Sequence, residues 1–245
     1  MREVGRPSWR IAVDSAEGLH LVLFIRDALW LDTVGDDLPG PLAFDVPDLS
    51  AELDRGERAV ARQAWPAWWR ASLASYLHYR HTPIDQELGI GVMRWLVEGP
   101  GHGTAPPESL QGLARAALEP FRQWWSSPRL GQTPSSRPTP PSGQAPPSGR
   151  APARRPPALG PRMAGVKGEL AELTLSARAE LDVVRRIEAE LGRRAGPFEF
   201  DLQVIGVSGP PVLAQESHRA AVSSELVRSG SAYTDWLYRA LRPLA

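Results

Sequence analysis

Residues 126–167 read SSPRLGQTPSSRPTPPSGQAPPSGRAPARRPPALGPRMAGVK, and this stretch decides how the chain is organised. It contains 11 of the 25 prolines and seven basic residues, and it has neither an acidic nor an aromatic residue. Such a composition cannot form a hydrophobic core and favours an extended, solvated chain. We therefore expect a disordered Pro/Arg/Ser-rich linker over residues 128–166, with one small α+β domain on each side of it.

The domain before the linker, residues 1–127, is predicted to begin with β-strands. Residues 9–13 (WRIAV) alternate in polarity, residues 14–18 (DSAEG) favour a turn, and residues 19–25 (LHLVLFI) form a short apolar run. This order predicts a β-hairpin. Residues 28–34 could extend the hairpin into a three-stranded meander.

Helices are predicted for the remainder of this Trp-rich domain. A first helix would start with Asp48 or Ser50 as its N-cap, and Pro66 should end or kink it. Its inward-facing residues would be Leu53, Val60 and Ala64. Two further helices are indicated by apolar residues at helical spacing. Their apolar faces consist of Trp65, Trp69, Leu73, Tyr76 and Leu77 in the first, and of Leu110, Leu113, Ala114, Ala117, Leu118, Phe121, Trp124 and Trp125 in the second.

The domain after the linker, residues 167–245, has a pattern of its own. Helical spacing of apolar residues brackets a central part that alternates in polarity, as a half-buried strand does. A helix, β-hairpin, helix arrangement is therefore predicted. Its elements are a helix over residues 170–191, a strand over 198–204, a short returning strand at 212–214 or 219–223, and a helix over 233–244 with Ser231 as its N-cap.

Composition excludes several classes of protein. The chain has no cysteine, so it forms no disulfide framework, thiolate metal site or iron–sulfur cluster. Its longest strongly apolar run, residues 19–25, is far shorter than the roughly 20 residues that cross a bilayer. The first residues do not have the pattern of a secretory signal peptide. We expect a cytoplasmic protein that uses no cofactor and does not contact a membrane.

A polar cluster could be written from His78, His81 and Asp85, in the sequence HYRHTPID. Two histidines three residues apart can share a helical face, but a zinc site needs further ligands. The same residues also suit the end of a helix, where a histidine favours the negative end of the helix dipole. We prefer the helix end, and we predict no metal site.

Two aromatic residues, Trp68 and Tyr79, lie at the flank of the apolar face of their helix. They are therefore the candidates for contact with a partner, since exposed aromatic residues are enriched at binding hot spots. Helical periodicity favours core packing for most of the other tryptophans.

Opposite charges are separated along the chain. Seven acids and no basic residue occur between residues 28 and 54, whereas the linker is basic. We expect these two segments to attract each other loosely. The basic linker could also bind nucleic acid, but it has no interleaved aromatic residue for base stacking, and the rest of the chain is mildly acidic.

Taken together, these features predict a non-catalytic protein-interaction or adaptor module whose partner is another protein. Two alternatives stay open. The chain could be an enzyme that uses the polar cluster near His78, His81 and Asp85, or it could bind nucleic acid through its linker.

Overall fold

The computed structural model describes residues 2–6, 9–33, 35, 37–78, 91–127 and 179–245. The predicted linker therefore lies outside the described residues. The strands are β1 (Arg2–Arg6), β2 (Trp9–Asp14), β3 (Phe198–Ile205), β4 (Val212–Gln215) and β5 (Arg219–Ser223). The helices are α1 (Glu17–Ala28), α2 (Arg55–His78), α3 (Val92–Glu98), α4 (Glu108–Ser126), α5 (Ala179–Leu191), α6 (Ser224–Arg228) and α7 (Ser231–Leu241), and a short 3-10 turn spans Ser50–Glu52.

The described strands form one five-stranded sheet in the order β1-β2-β3-β5-β4. The three central strands, β2, β3 and β5, run parallel, and an antiparallel partner closes each edge. β2 and β3 are paired from Trp9 opposite Phe198 to Asp14 opposite Gln203. Parallel neighbours require a long crossover connection. Here helices α1 to α4 belong to that connection.

This sheet corrects the expected division into separate domains at residues 1–127 and 167–245. The α+β class is confirmed, but β2 comes from one predicted domain and β3 from the other. Buried residues from both parts also form one hydrophobic cluster. The physical reason is that a two-stranded hairpin such as β1-β2 is marginal by itself and gains stability when a third strand joins it.

The apolar run at residues 19–25 is a helix and not the strand that we expected. α1 follows β2 after a two-residue loop, and every residue from Leu19 to Ile25 is at most 3% exposed. A helix that is buried on all sides has no polar face, so its sequence resembles that of a buried strand. The expected extension at residues 28–34 is also absent where the structure describes it, because α1 ends at Ala28 and a turn follows.

α2 departs from the sequence prediction at both its start and its middle. It begins after Asp54, whose carboxylate accepts from the Glu57 amide while Glu57 accepts from the Asp54 amide. This reciprocal pair is a capping box. The helix continues through Pro66 without interruption, and Val60, expected to face inward, is 52% exposed.

The remaining elements agree with the sequence analysis where the structure describes them. α4 buries the predicted aromatic face with Phe121, Trp124 and Trp125. β3 is a strand as expected, and the two short stretches that follow it pair with each other as β4 and β5. α7 buries its predicted apolar face, although Gly230 and not Ser231 occupies the N-cap position.

His20 joins α1 to the end of β3. Its Nδ1 donates to the Ala16 carbonyl at 2.9 Å, and its Nε2 accepts from the Gly206 amide at 2.9 Å. Its ring lies 4.8 Å from that of Trp125 on α4. Complete burial lowers the pKa of His20 from 6.5 to about 4, so the imidazole is neutral near pH 7.

Candidate functional site

Trp68, one of the two predicted partner-contact residues, lies in the core. It is only 1% exposed and belongs to the buried face of α2. α2 packs against both α1 and α4, so its buried face is wide enough to include the flank of the predicted stripe. Trp68 is therefore unavailable at the surface, and the assignment is corrected. Tyr79, the other candidate, lies outside the described residues.

His78 is the last residue of α2, which agrees with the predicted helix end. Its imidazole is 73% exposed, with Nδ1 2.8 Å from the Ala74 carbonyl oxygen and Nε2 3.4 Å from a carboxylate oxygen of Glu216. The other two members of the predicted cluster, His81 and Asp85, fall outside the described residues. Within the described ranges, no group of three or more histidine, cysteine or acidic residues could hold a metal ion.

A different polar cluster lies beside the end of α2, and the sequence analysis did not identify it. Arg219 at the start of β5 donates to the main-chain carbonyls of Tyr76 and Leu77 at 3.3 Å and 3.2 Å. The Arg219 Nε atom also lies 3.3 Å from an Asp201 carboxylate oxygen on β3. Carbonyls at a helix C-terminus have no partner within the helix, so Arg219 satisfies two of them.

The hydroxyl of Tyr76 belongs to the same cluster. Burial, followed by the carboxylates of Asp201 and Asp14, raises its pKa well above 10, whereas Arg219 and a hydrogen bond with Gln203 lower it. Tyr76 therefore stays protonated near neutral pH and does not act as a base. The cluster fastens the end of α2 to the sheet, and its contacts are those of a structural connection.

A second candidate site lies at the other end of the fold, where α1 ends. The Leu31 amide donates to the Arg26 carbonyl at 3.0 Å, and the Trp30 amide donates to the Asp27 carbonyl at 3.3 Å. These two bonds define a Schellman motif, and Trp30 occupies the position that glycine usually takes. Its φ is +54°, and the Trp30 side chain is 50% exposed.

The loop of residues 45–52 is bonded to the last residue of α1. The Leu49 amide donates to the Ala28 carbonyl at 2.8 Å, two residues before Trp30. Three carboxylates of the loop, those of Asp45, Asp48 and Glu52, are exposed. The Ser50 amide donates to Asp48 and holds the pKa of that carboxyl below its usual range, so its charge persists at neutral pH. We call Trp30 together with these three acids the Trp30 surface.

Arginines of α2 hold the preceding loop in place. Arg62 donates to the Leu31 carbonyl at 2.9 Å and lies 3.6 Å from the Asp32 carboxylate. Arg70 binds Asp37 through two hydrogen bonds, of 2.6 Å and 3.1 Å. Two acids of the predicted acidic segment are thus paired with this helix.

Sequence reasoning missed Trp30 because it assigned the residue to a strand. The informative signal was the missing glycine: no residue between Leu29 and Val34 tolerates a left-handed backbone as glycine does. Once α1 is recognised as a helix, its end must include a strained residue, and Trp30 is the large apolar one.

Comparisons with other proteins add no functional assignment to this geometry. Searches of protein-family models, curated proteins and solved structures found no match to this chain. In the parts that the structure describes, no helix is both long and apolar enough to cross a membrane. Function must therefore be argued from the residues themselves.

Proposed function

We propose that this chain is a non-catalytic protein-interaction module and that its partner, another protein, binds at the Trp30 surface. The observation that carries the proposal is that Trp30 combines a strained backbone with an exposed indole ring. A left-handed backbone costs a residue with a Cβ atom about 1–2 kcal/mol. Exposure also leaves half of a large indole ring in water. Residues with a strained backbone cluster at functional positions.

The other tryptophans emphasise how unusual Trp30 is. The chain has nine, and the remaining eight are at most 8% exposed. Tryptophan is among the residues that contribute most to binding energy when a partner covers them. The neighbouring acids of the Trp30 surface would form its polar rim, which fits a partner with basic side chains.

The proposal is tested by capture from a lysate of the native host, followed by binding measurements with the purified partner. Wild-type chain, Trp30→Gly and Val97→Ala would be compared by quantitative mass spectrometry. Val97 is a suitable control because it is another exposed apolar residue, 55% exposed, on α3. Trp30→Gly is preferred to alanine because glycine tolerates the positive φ.

We expect a protein that wild type and Val97→Ala retain and that Trp30→Gly loses. Calorimetry with that purified protein should show binding weakened by roughly 30-fold in Trp30→Gly, the loss of a typical hot spot. Equal binding by Trp30→Gly and wild type would refute the proposal. Capture of no protein by wild type would count against it as well.

A further inference from the structure

The Trp30 surface combines an aromatic ring with negative charge. Residues 45–52 supply the three exposed carboxylates, which outnumber Arg58 of α2, whose guanidinium donates to the Ser50 carbonyl of this loop. An exposed tryptophan ring can stack against proline rings of an extended peptide or against the guanidinium of an arginine. A ligand that suits both properties is an extended segment rich in proline and arginine.

The chain contains one segment with this chemistry. Residues 128–162 include 11 prolines and six arginines, with no acidic residue. Proline-rich segments adopt the polyproline II conformation with little loss of entropy, which favours their binding to aromatic surfaces. The segment and the Trp30 surface are therefore complementary in charge.

The segment also starts close to the Trp30 surface. α4, which precedes it, ends at Ser126, and the Trp124 indole of that helix donates to the Asp45 carbonyl at 2.7 Å. Only the four peptide units from Asp45 to Leu49, at most about 15 Å, separate this contact from the Leu49 bond to α1. At about 3.1 Å per residue, some ten residues of polyproline II can cover the distance.

We propose that residues 128–162 bind the Trp30 surface of their own chain and that a partner must displace them. This inference rests on the proposed function, because it assigns a competitor to the same surface. Each individual interaction between the segment and the surface is weak, but a tethered ligand has an effective concentration in the millimolar range. Three exposed ion pairs together shift such an equilibrium by roughly fivefold, and salt removes the shift.

The absence of cysteine makes this contact measurable in the full-length chain. A single Ser142→Cys change carries a nitroxide spin label, and 5-fluorotryptophan gives a fluorine resonance for each of the nine tryptophans. The Trp30 resonance is assigned from Trp30→Gly, and the eight buried tryptophans serve as internal references. A matched variant replaces Arg137, Arg150, Arg154 and Arg155 by serine and keeps every proline.

We expect the spin label to enhance relaxation of Trp30 selectively at 20 mM salt. The enhancement should fall, by at most about fivefold, at 500 mM salt or in the arginine-to-serine variant. Equal enhancement of Trp30 and the buried tryptophans would overturn the proposal, as would an enhancement that ignores salt and the arginines. Mixing spin-labelled chains with fluorinated, unlabelled chains identifies contact between copies, and an enhancement in the mixture as large as that in the doubly labelled chain would also overturn the proposal.

Partner capture separates this inference from the proposed function. If Trp30→Gly loses the partner but the spin label shows no proximity, then the interaction module stands and the internal competitor is wrong. If both are right, the arginine-to-serine variant should bind the purified partner more tightly than wild type, by at most about fivefold, because its competitor is weakened.

Discussion

α1 and α4 are neighbours in one core, but they meet solvent in different ways. From Leu19 to Ile25, α1 is surrounded by protein on every side, whereas α4 alternates buried residues such as Phe121 with exposed ones such as Arg122. α1 also packs against both α2 and α4. A helix that is enclosed in this way has no face in solvent, whereas the amphipathic α4 keeps one face exposed although it also packs against α1 and α2.

The largest effect is expected when the chain is divided at the linker, because α1 and β2 are then separated from β3. Fragments 1–127 and 167–245 should each fail to unfold cooperatively, because β2 then lacks β3 and the shared core is divided. Equimolar mixing should restore a cooperative transition by circular dichroism and one peak in size-exclusion chromatography. Cleavage of the intact chain at a protease site inserted within 128–166 is the control, and its two pieces should stay associated. Cooperative unfolding of each isolated fragment would restore the two-domain interpretation.

An alanine scan sharpens the same comparison residue by residue. Each of the five consecutive positions 21–25 in α1 should lose about 1–5 kcal/mol of unfolding free energy, because all five side chains are fully buried. In α4, Phe121 and Trp124 should show losses of about 3–5 kcal/mol, whereas Arg122 and Gln123 should change stability by about 0.5 kcal/mol or less. Urea denaturation measures the set. If the losses in unfolding free energy along positions 21–25 instead rose and fell with helical periodicity, α1 would not be enclosed on every side.

These two helices also explain how much of the fold the sequence could predict. α4 and α7 were identified because each keeps a polar face, and β2 and β3 because their residues alternate. α1 was missed because periodicity carries no information once every face is buried. The shared sheet was missed because pairing of β2 with β3 depends on contacts about 190 residues apart, which no local pattern encodes.

The candidate site was predicted less well than the fold. Trp68 was chosen from its place at the edge of a stripe, but the width of a buried face depends on how many helices pack against it. Trp30 could not be recognised until the end of α1 was known. The Arg219 cluster joins residues from three separate elements, so it appears only when the sheet is assembled.

His20 provides a pH test of the enclosed helix. Because its pKa is lowered to about 4, the unfolded chain takes up a proton first as pH falls below 6.5. The free energy of unfolding should therefore fall by about 3 kcal/mol as the pH is lowered from 6.5 to 4. His20→Gln should be less stable at pH 7, and its deficit relative to wild type should shrink over this pH range in denaturant titrations. A constant deficit would show that the imidazole is not enclosed.

The smallest expected change concerns the exposed end of α1. Trp30→Gly should change the unfolding free energy by no more than about 1 kcal/mol, because relief of the left-handed strain offsets the loss of the half-buried indole ring. Thermal and urea denaturation of the same variant used for capture measure this effect. A loss above about 2 kcal/mol would mean that the indole ring packs as core and would remove the main argument for a binding role.

The order of strands in the sheet has a consequence for biosynthesis. β2 emerges from the ribosome early, but its neighbour β3 is made about 190 residues later, which takes on the order of 10–40 s at 5–20 residues per second. During that interval the uninterrupted apolar surface of α1 cannot be enclosed on the side of the sheet. Nascent chains of this protein should therefore be clients of chaperones until β3 and β5 have been synthesised.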